Sequence, residues 1–116
     1  MTVRRIVANI AADNAEAAAR FYGGVFELDI LMDLGWIVTF GSEERMQVQL
    51  SVMTEGGAGT PVPDISIEVA DLDETLARVV QGGYAIEYGP IDEPWGVRRF
   101  FVRDPFGRLV NVLAHL

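Results

Sequence analysis

The chain has 116 residues, half of them apolar and 22% charged, which describes one ordinary globular domain or two small halves sharing a core. It contains no cysteine, which excludes disulfides, thiolate metal sites, iron–sulfur clusters and cysteine nucleophiles, and fits a reducing cytoplasm. Nine basic against seventeen acidic residues give a net charge of −8. A nucleic-acid partner is therefore disfavoured, and no apolar run approaches a membrane span.

The first element expected is a strand over residues 3–12. Arg4-Arg5 ahead of a short apolar run superficially resembles a signal peptide, but Asn9 interrupts the run and Asp13 ends it. A helix follows over 14–22, capped by Asp13 with Glu16 three residues on and stopped by Gly23-Gly24. Strands are expected over 27–32, 36–40 and 46–53. The Gly- and Pro-rich stretch 55–61 has the composition of a flexible linker and lacks the lysine of a phosphate-binding loop.

The same series then returns. A strand over 64–70 leads to a helix over 72–81, capped by Asp71 with Glu74 and striped by Leu72, Leu76, Val79 and Val80. Gly82-Gly83 stops it, and strands over 86–88, 97–103 and 109–114 follow, the last two joined by an Asp104-Pro105-Phe106-Gly107 turn. The repetition is visible in the residues themselves. Ala12-Asp13-x-x-Glu16-x-x-Ala19-Arg20 recurs as Ala70-Asp71-x-x-Glu74-x-x-Ala77-Arg78, and Gly24 falls on Gly82 at the same offset. Met46-Gln47-Val48-Gln49-Leu50 matches Arg108-Leu109-Val110-Asn111-Val112 once four residues are assigned to the longer loop around 91–96. The expected fold is therefore α+β, built of two βαβββ modules at 1–54 and 62–116 with a linker at 55–61, each a curved mixed sheet with a helix on its outer face. In the first strand Ile6, Ala8, Ile10 and Ala12 form the helix-facing set, one residue out of step with the helix repeat, which places an extra residue near Asp13-Asn14.

Strand alternation sorts the side chains by face. Asp64, Ser66 and Glu68 oppose Ile65, Ile67 and Val69, and Gln47, Gln49 and Ser51 oppose Met46, Val48, Leu50 and Val52. Arg99 and Phe101 share one face of their strand, Arg98, Phe100 and Val102 the other, and the Arg99 and Phe101 face is expected to point inward. Trp36 and Trp95 each stand beside a glycine at the start of a strand, positions that suit either the rim of a pocket or plain core cover.

The two modules, the Phe21-Tyr22 pair closing the first helix, and Asp104-Pro105-Phe106-Gly107-Arg108-Leu109-Val110-Asn111 resemble the vicinal oxygen chelate superfamily of glyoxalases, bleomycin-resistance proteins and extradiol dioxygenases. The segment from Glu93-Pro94-Trp95-Gly96 to Asp104-Pro105 is most similar to the bleomycin-resistance branch. The resemblance covers the whole chain and implies that the modules' strands curl into a cleft, and that the protein is a homodimer. It also implies metal-ligand positions, which fall here on Val7, Gln49, Asp64 and Asn111. Val7 cannot ligate, Gln49 and Asn111 are neutral amides, and only Asp64 is anionic, a set poorly suited to a divalent Ni, Zn, Mn or Fe ion. The single histidine, His115, lies outside that pattern and reads as a solvated terminal residue.

Three functions stay open at this point. The first expectation is a cytoplasmic, metal-free protein that binds a small organic molecule in its cleft. Trp36, Trp95 and Phe101 would form an aromatic wall, and Gln49, Asp64, Ser66, Arg99 and Asn111 would orient the polar edge. The alternative is a lyase, isomerase or dioxygenase, metal-assisted or using Asp64 or Glu68 as general base; the same two acids also read as a solvated strand face. The third is a paralogue with no ligand.

Overall fold

A computed structural model describes residues 5, 7, 8, 10–44 and 51–116. It is a mixed α+β structure. Helix α1 (Ala15–Ala18) continues without a break into a π-helical turn over Ala19–Val25. A two-stranded antiparallel hairpin follows, β1 (Asp29–Asp33) and β2 (Val38–Gly41). The second module is complete: β3 (Ile65–Glu68), α2 (Leu72–Gln81), β4 (Ile86–Glu93), β5 (Val97–Arg103) and β6 (Leu109–His115). Its four strands form one sheet in the order β3-β6-β5-β4, with β3 parallel to β6 and the other neighbours antiparallel.

Helix α2 has the expected bounds because both of its ends are chemically specified. Asp71 accepts from the Glu74 amide at 3.0 Å, which satisfies one of the helix's orphan donors. At the other end Tyr84 N–H reaches Val79 C=O and Gly83 N–H reaches Val80 C=O, the paired bonds of a Schellman motif. That motif needs a left-handed residue after the cap, and Gly83 supplies it at φ 80°. The buried stripe of α2 is Leu72, Thr75 and Val79, with Leu76 packed beside them; Val80, expected in the stripe, is turned to solvent.

The first helix departs from expectation at both ends. Its cap is Asn14, which accepts from the Ala17 amide at 3.1 Å, so the expected cap Asp13 lies one residue outside the helix. Gly23-Gly24 does not stop it. Phe21, Tyr22 and Val25 are all buried, and holding three large side chains on the core outweighs the poor helix propensity of two glycines. The break comes at Glu27, at φ 57°.

Both helical segments contribute to one core. Phe21, Tyr22 and Val25 from the first module join Leu72 and Val79 of α2 against Phe100, Val102, Val110 and Val112 of the sheet. Phe21 meets Tyr22, Phe26 and Tyr84 edge-on, the geometry that aromatic quadrupoles favour. The two motifs that carry the resemblance also meet. Tyr22 donates its hydroxyl to Asp104 Oδ2 at 2.7 Å, while Asp104 Oδ1 accepts from the amides of Phe106 and Arg108 and shapes the turn between β5 and β6.

Two expected strands differ from what is observed. Arg5, Val7, Ala8 and residues 10–12 form no strand; instead of pairing, Ala8 and Ile10 border an open depression with Asp64, Ile65 and Arg108. Ser51, Val52 and Met53 form none either, and residues 45–50, Gln49 among them, lie outside the described residues. The linker expected to be a flexible connection closes into a turn: Gly56 N–H donates to Thr60 C=O, and Thr60 returns both its N–H and its hydroxyl to Gly57 C=O. No helix among the described residues is long and apolar enough to cross a membrane.

Candidate functional site

The sheet has two very different faces. One carries the apolar residues that meet the helices. On the other, strand register aligns Ser66, Asn111, Phe101 and Tyr88 in a single row across all four strands. The neighbouring row holds Glu68, Leu113, Arg99 and Ile91. Arg99 and Phe101 thus point away from the helices, while Arg98 lies on the helix side, near Asp73 and Asp92.

At the middle of the first row stands Asn111, 8% exposed. Its Nδ2 donates to Ser66 Oγ at 3.1 Å, and its Oδ1 is buried without a partner among the described residues. Turning the amide over exchanges the two ends and still leaves one of them unpaired. A buried amide oxygen without a donor costs about 1–3 kcal/mol, so a fold keeps one only where something else is gained. Phe101, 1% exposed, lies directly beside it in the ladder.

Towards β4 the face is filled. The Arg99 guanidinium lies 4.8–5.3 Å from the ring centres of Phe101, Trp95 and Tyr88. It pairs with buried Glu93 at 3.4 Å and donates to the carbonyls of Gly56 at 2.7 Å and Gly57 at 3.3 Å. Glu93 accepts in addition from the Tyr88 hydroxyl at 2.7 Å, a bond that holds the Tyr88 pKa above its ordinary value, with burial acting in the same direction. Removing a charge from water is costly, and this arrangement compensates for it with an opposite charge, two carbonyls and three ring faces. Trp95 is half exposed and covers the cluster at the turn between β4 and β5.

The sequence analysis missed Tyr88, Glu93, Gly56 and Gly57. A signal for Glu93 was present: Asp92-Glu93 and Arg98-Arg99 flank Pro94-Trp95-Gly96, and a hairpin folded about that turn brings acids opposite arginines. Nothing local in the sequence brings residues 56–57 to Arg99.

Trp36, Asp64 and Glu68 stand apart from the Arg99 cluster. Trp36 sits in the turn between β1 and β2, 82% exposed, and takes no part in the Arg99 cluster. Asp64 accepts from the Leu109 amide at 2.8 Å through Oδ2 and borders the depression of about 210 Å³ mentioned above. Glu68 pairs with His115 Nε2 at 3.4 Å, so the histidine expected to be merely solvated has a partner. A second, wider depression of about 460 Å³ lies between residues 11–13 and Pro105 and Phe106. Neither depression shares a residue with the Arg99 cluster.

The positions that the resemblance assigns to metal ligands do not fit a divalent cation. Val7 has no donor atom, Asp64 is the one carboxylate and already accepts a backbone N–H, and Asn111 offers a neutral oxygen. Among the described residues no three His, Asp or Glu side chains gather in a group able to hold a metal.

The β-α-β-β-β order of the second module and the polar and aromatic row opposite its helix define a two-faced sheet of the βαβββ class. The chain belongs to the glyoxalase/bleomycin resistance protein/dioxygenase superfamily, whose family model matches residues 4–112. Solved structures share the fold over nearly the whole chain. TnmS3, an antibiotic-binding protein from Streptomyces sp. CB03234, is 19% identical with a TM-score of 0.67, covering 100% of this chain and 97% of its own. TioX from Micromonospora sp. ML1 is 21% identical with a TM-score of 0.65, covering 96% and 95%. A superfamily member from Sphaerobacter thermophilus is 20% identical with a TM-score of 0.65, covering 99% and 98%. No curated protein matches the chain significantly.

Proposed function

We propose that this protein binds a small, flat organic molecule against the Ser66–Asn111–Phe101–Tyr88 row, without a metal, in the manner of a drug-sequestering protein of the cytoplasm. The observation that carries this reading is the buried, unpartnered amide end of Asn111 beside the Phe101 ring. An aromatic surface with one convergent polar group is the usual composition of a small-molecule site. A ligand N–H or ammonium would meet Asn111 Oδ1, with Glu68 on the adjacent row adding negative charge. The likeness in fold to an antibiotic-binding protein supports the same reading.

The test is a tryptophan-emission titration with a panel of aromatic compounds bearing N–H or ammonium groups, with chelator present. Binding should occur, and Asn111→Leu should weaken it by about tenfold, the loss of one hydrogen bond worth roughly 1.5 kcal/mol. Silence across the panel, or affinity indifferent to Asn111→Leu, overturns the reading. Asp64→Asn should leave binding intact.

The homodimer belongs to the same proposal. Ile30, Leu31, Met32, Leu34 and Trp36 are all exposed on and beside the β1–β2 hairpin, the kind of apolar patch that marks an interface. Leu31→Glu should convert a dimer into a monomer by sedimentation equilibrium; a wild-type chain that sediments as a monomer contradicts it.

A further inference from the structure

Resting on that reading of the face, we infer that Gly56 and Gly57 act as a built-in ligand: their two carbonyls occupy the inner end of the binding face on Arg99 and must leave when a ligand enters. The ligand class follows from what the turn presents, a neutral planar group with two neighbouring carbonyl oxygens.

Three observations carry this. Arg99 gives one N–H to each of two successive carbonyls, the fork geometry with which a guanidinium grips paired acceptor oxygens. Its three aromatic neighbours form walls that suit a flat group, and one of them, Trp95, also packs on Gly57, where a Cβ would stand 2.8 Å from the indole Cη2. The turn is held together chiefly by its own bonds, Gly56 to Thr60, Thr60 to Gly57 and Gly59 to Glu55, so it can move as a preformed unit. Glu93 decides the charge of the replacement. It already neutralises Arg99 from 3.4 Å, so an incoming carboxylate would be repelled where two neutral carbonyls are accommodated. Asn111 Oδ1, in the adjoining row, adds a requirement for a donor on the same molecule.

Isatin has this form: a flat ring, two adjacent carbonyls and one N–H. The chain carries two tryptophans, so a Trp36→Phe background leaves Trp95 as the one emitter. In that background two further variants loosen the turn. Gly57→Ala adds a methyl at φ 85° against Trp95, and Thr60→Val removes a bond that keeps the turn in the shape presenting both carbonyls to Arg99. The second leaves every binding-face residue in place and keeps the test valid if the first does not fold.

Without ligand, Gly57→Ala should shift Trp95 emission to the red as the turn leaves the indole. By calorimetry, both variants should bind isatin at least fivefold more tightly than the parent. Oxindole, with one carbonyl, should gain nothing from either variant, and phthalate should bind neither. Isatin affinity that is unchanged or lower in both variants overturns the inference, because the turn is then a fixed part of the fold. Phthalate binding more tightly than isatin overturns the ligand class. If isatin binds no variant while panel compounds bind through Asn111, this inference fails alone; if nothing binds at all, the proposed function fails with it.

Discussion

The two modules repeat one pattern in sequence and differ in what they contribute. The second builds a four-stranded sheet with a capped helix and supplies most of the buried core. Among the described residues the first supplies a short helix, a π-helical turn and a two-stranded hairpin whose β1 is exposed along its length. Its buried side chains, Phe21, Tyr22 and Val25, complete the core of the other module's sheet. The lesson is that duplication of sequence does not divide stability equally. Both helical segments cover one face of the second module's sheet, whereas among the described residues the hairpin of the first pairs only within itself and offers the core little beyond Phe40.

That asymmetry is open to direct attack. The largest effect should come from Phe100→Ala, which empties a fully buried position under both helices and should cost about 3–5 kcal/mol in denaturant unfolding. Leu31→Ala, on the exposed hairpin, should change monomer stability by less than about 0.5 kcal/mol. Equal costs would mean that the hairpin has a core of its own.

Tyr22→Phe tests the bond that ties the modules together. Losing a hydroxyl that donates to a buried carboxylate should cost about 1.5–3 kcal/mol. It should also change the alkaline limb of the stability curve. Burial, then the bond to Asp104, raise the Tyr22 pKa above its ordinary value of 10.0. The folded state therefore keeps a proton that the unfolded chain releases, so stability is full below about pH 10 and falls as the pH rises beyond it. All nine basic residues are arginines, which stay charged in this range, and that leaves the tyrosines as the side chains that titrate there. Melting temperatures from pH 9 to 12 should decline less steeply in Tyr22→Phe; an unchanged slope would contradict the assignment.

Asn111→Leu should separate ligand affinity from stability. Replacing an amide with an unpartnered end by an apolar side chain should leave stability within about 1 kcal/mol of the parent, while ligand affinity falls. A loss of several kcal/mol would make Asn111 a structural residue.

Much of this was legible in the sequence where the determinants are local. The bounds of α2 follow from Asp71 and Gly82-Gly83, whose capping bonds span a few residues. Period-two alternation in β3, β5 and β6 separates the two faces, and the Arg99 and Phe101 set lies opposite the helices. For residues 10–12 alternation is less informative, because a strand exists only through its neighbour's hydrogen bonds. Gly23-Gly24 misled because local propensity was weighed without the burial of Phe21, Tyr22 and Val25.

What the sequence by itself determined was the α+β pattern, the repeated module, the caps of α2, and which side chains share a strand face. The caps and faces depend on residues within a few positions of one another, and the repeat is visible as identities along the chain. The tertiary structure alone decided that residues 56 and 57 lie on Arg99, that Tyr22 meets Asp104, and that Trp36 and Trp95 occupy unrelated places. Those contacts join residues far apart in the chain. They are set by how two layers pack, a property of the whole core that no local pattern of residues encodes.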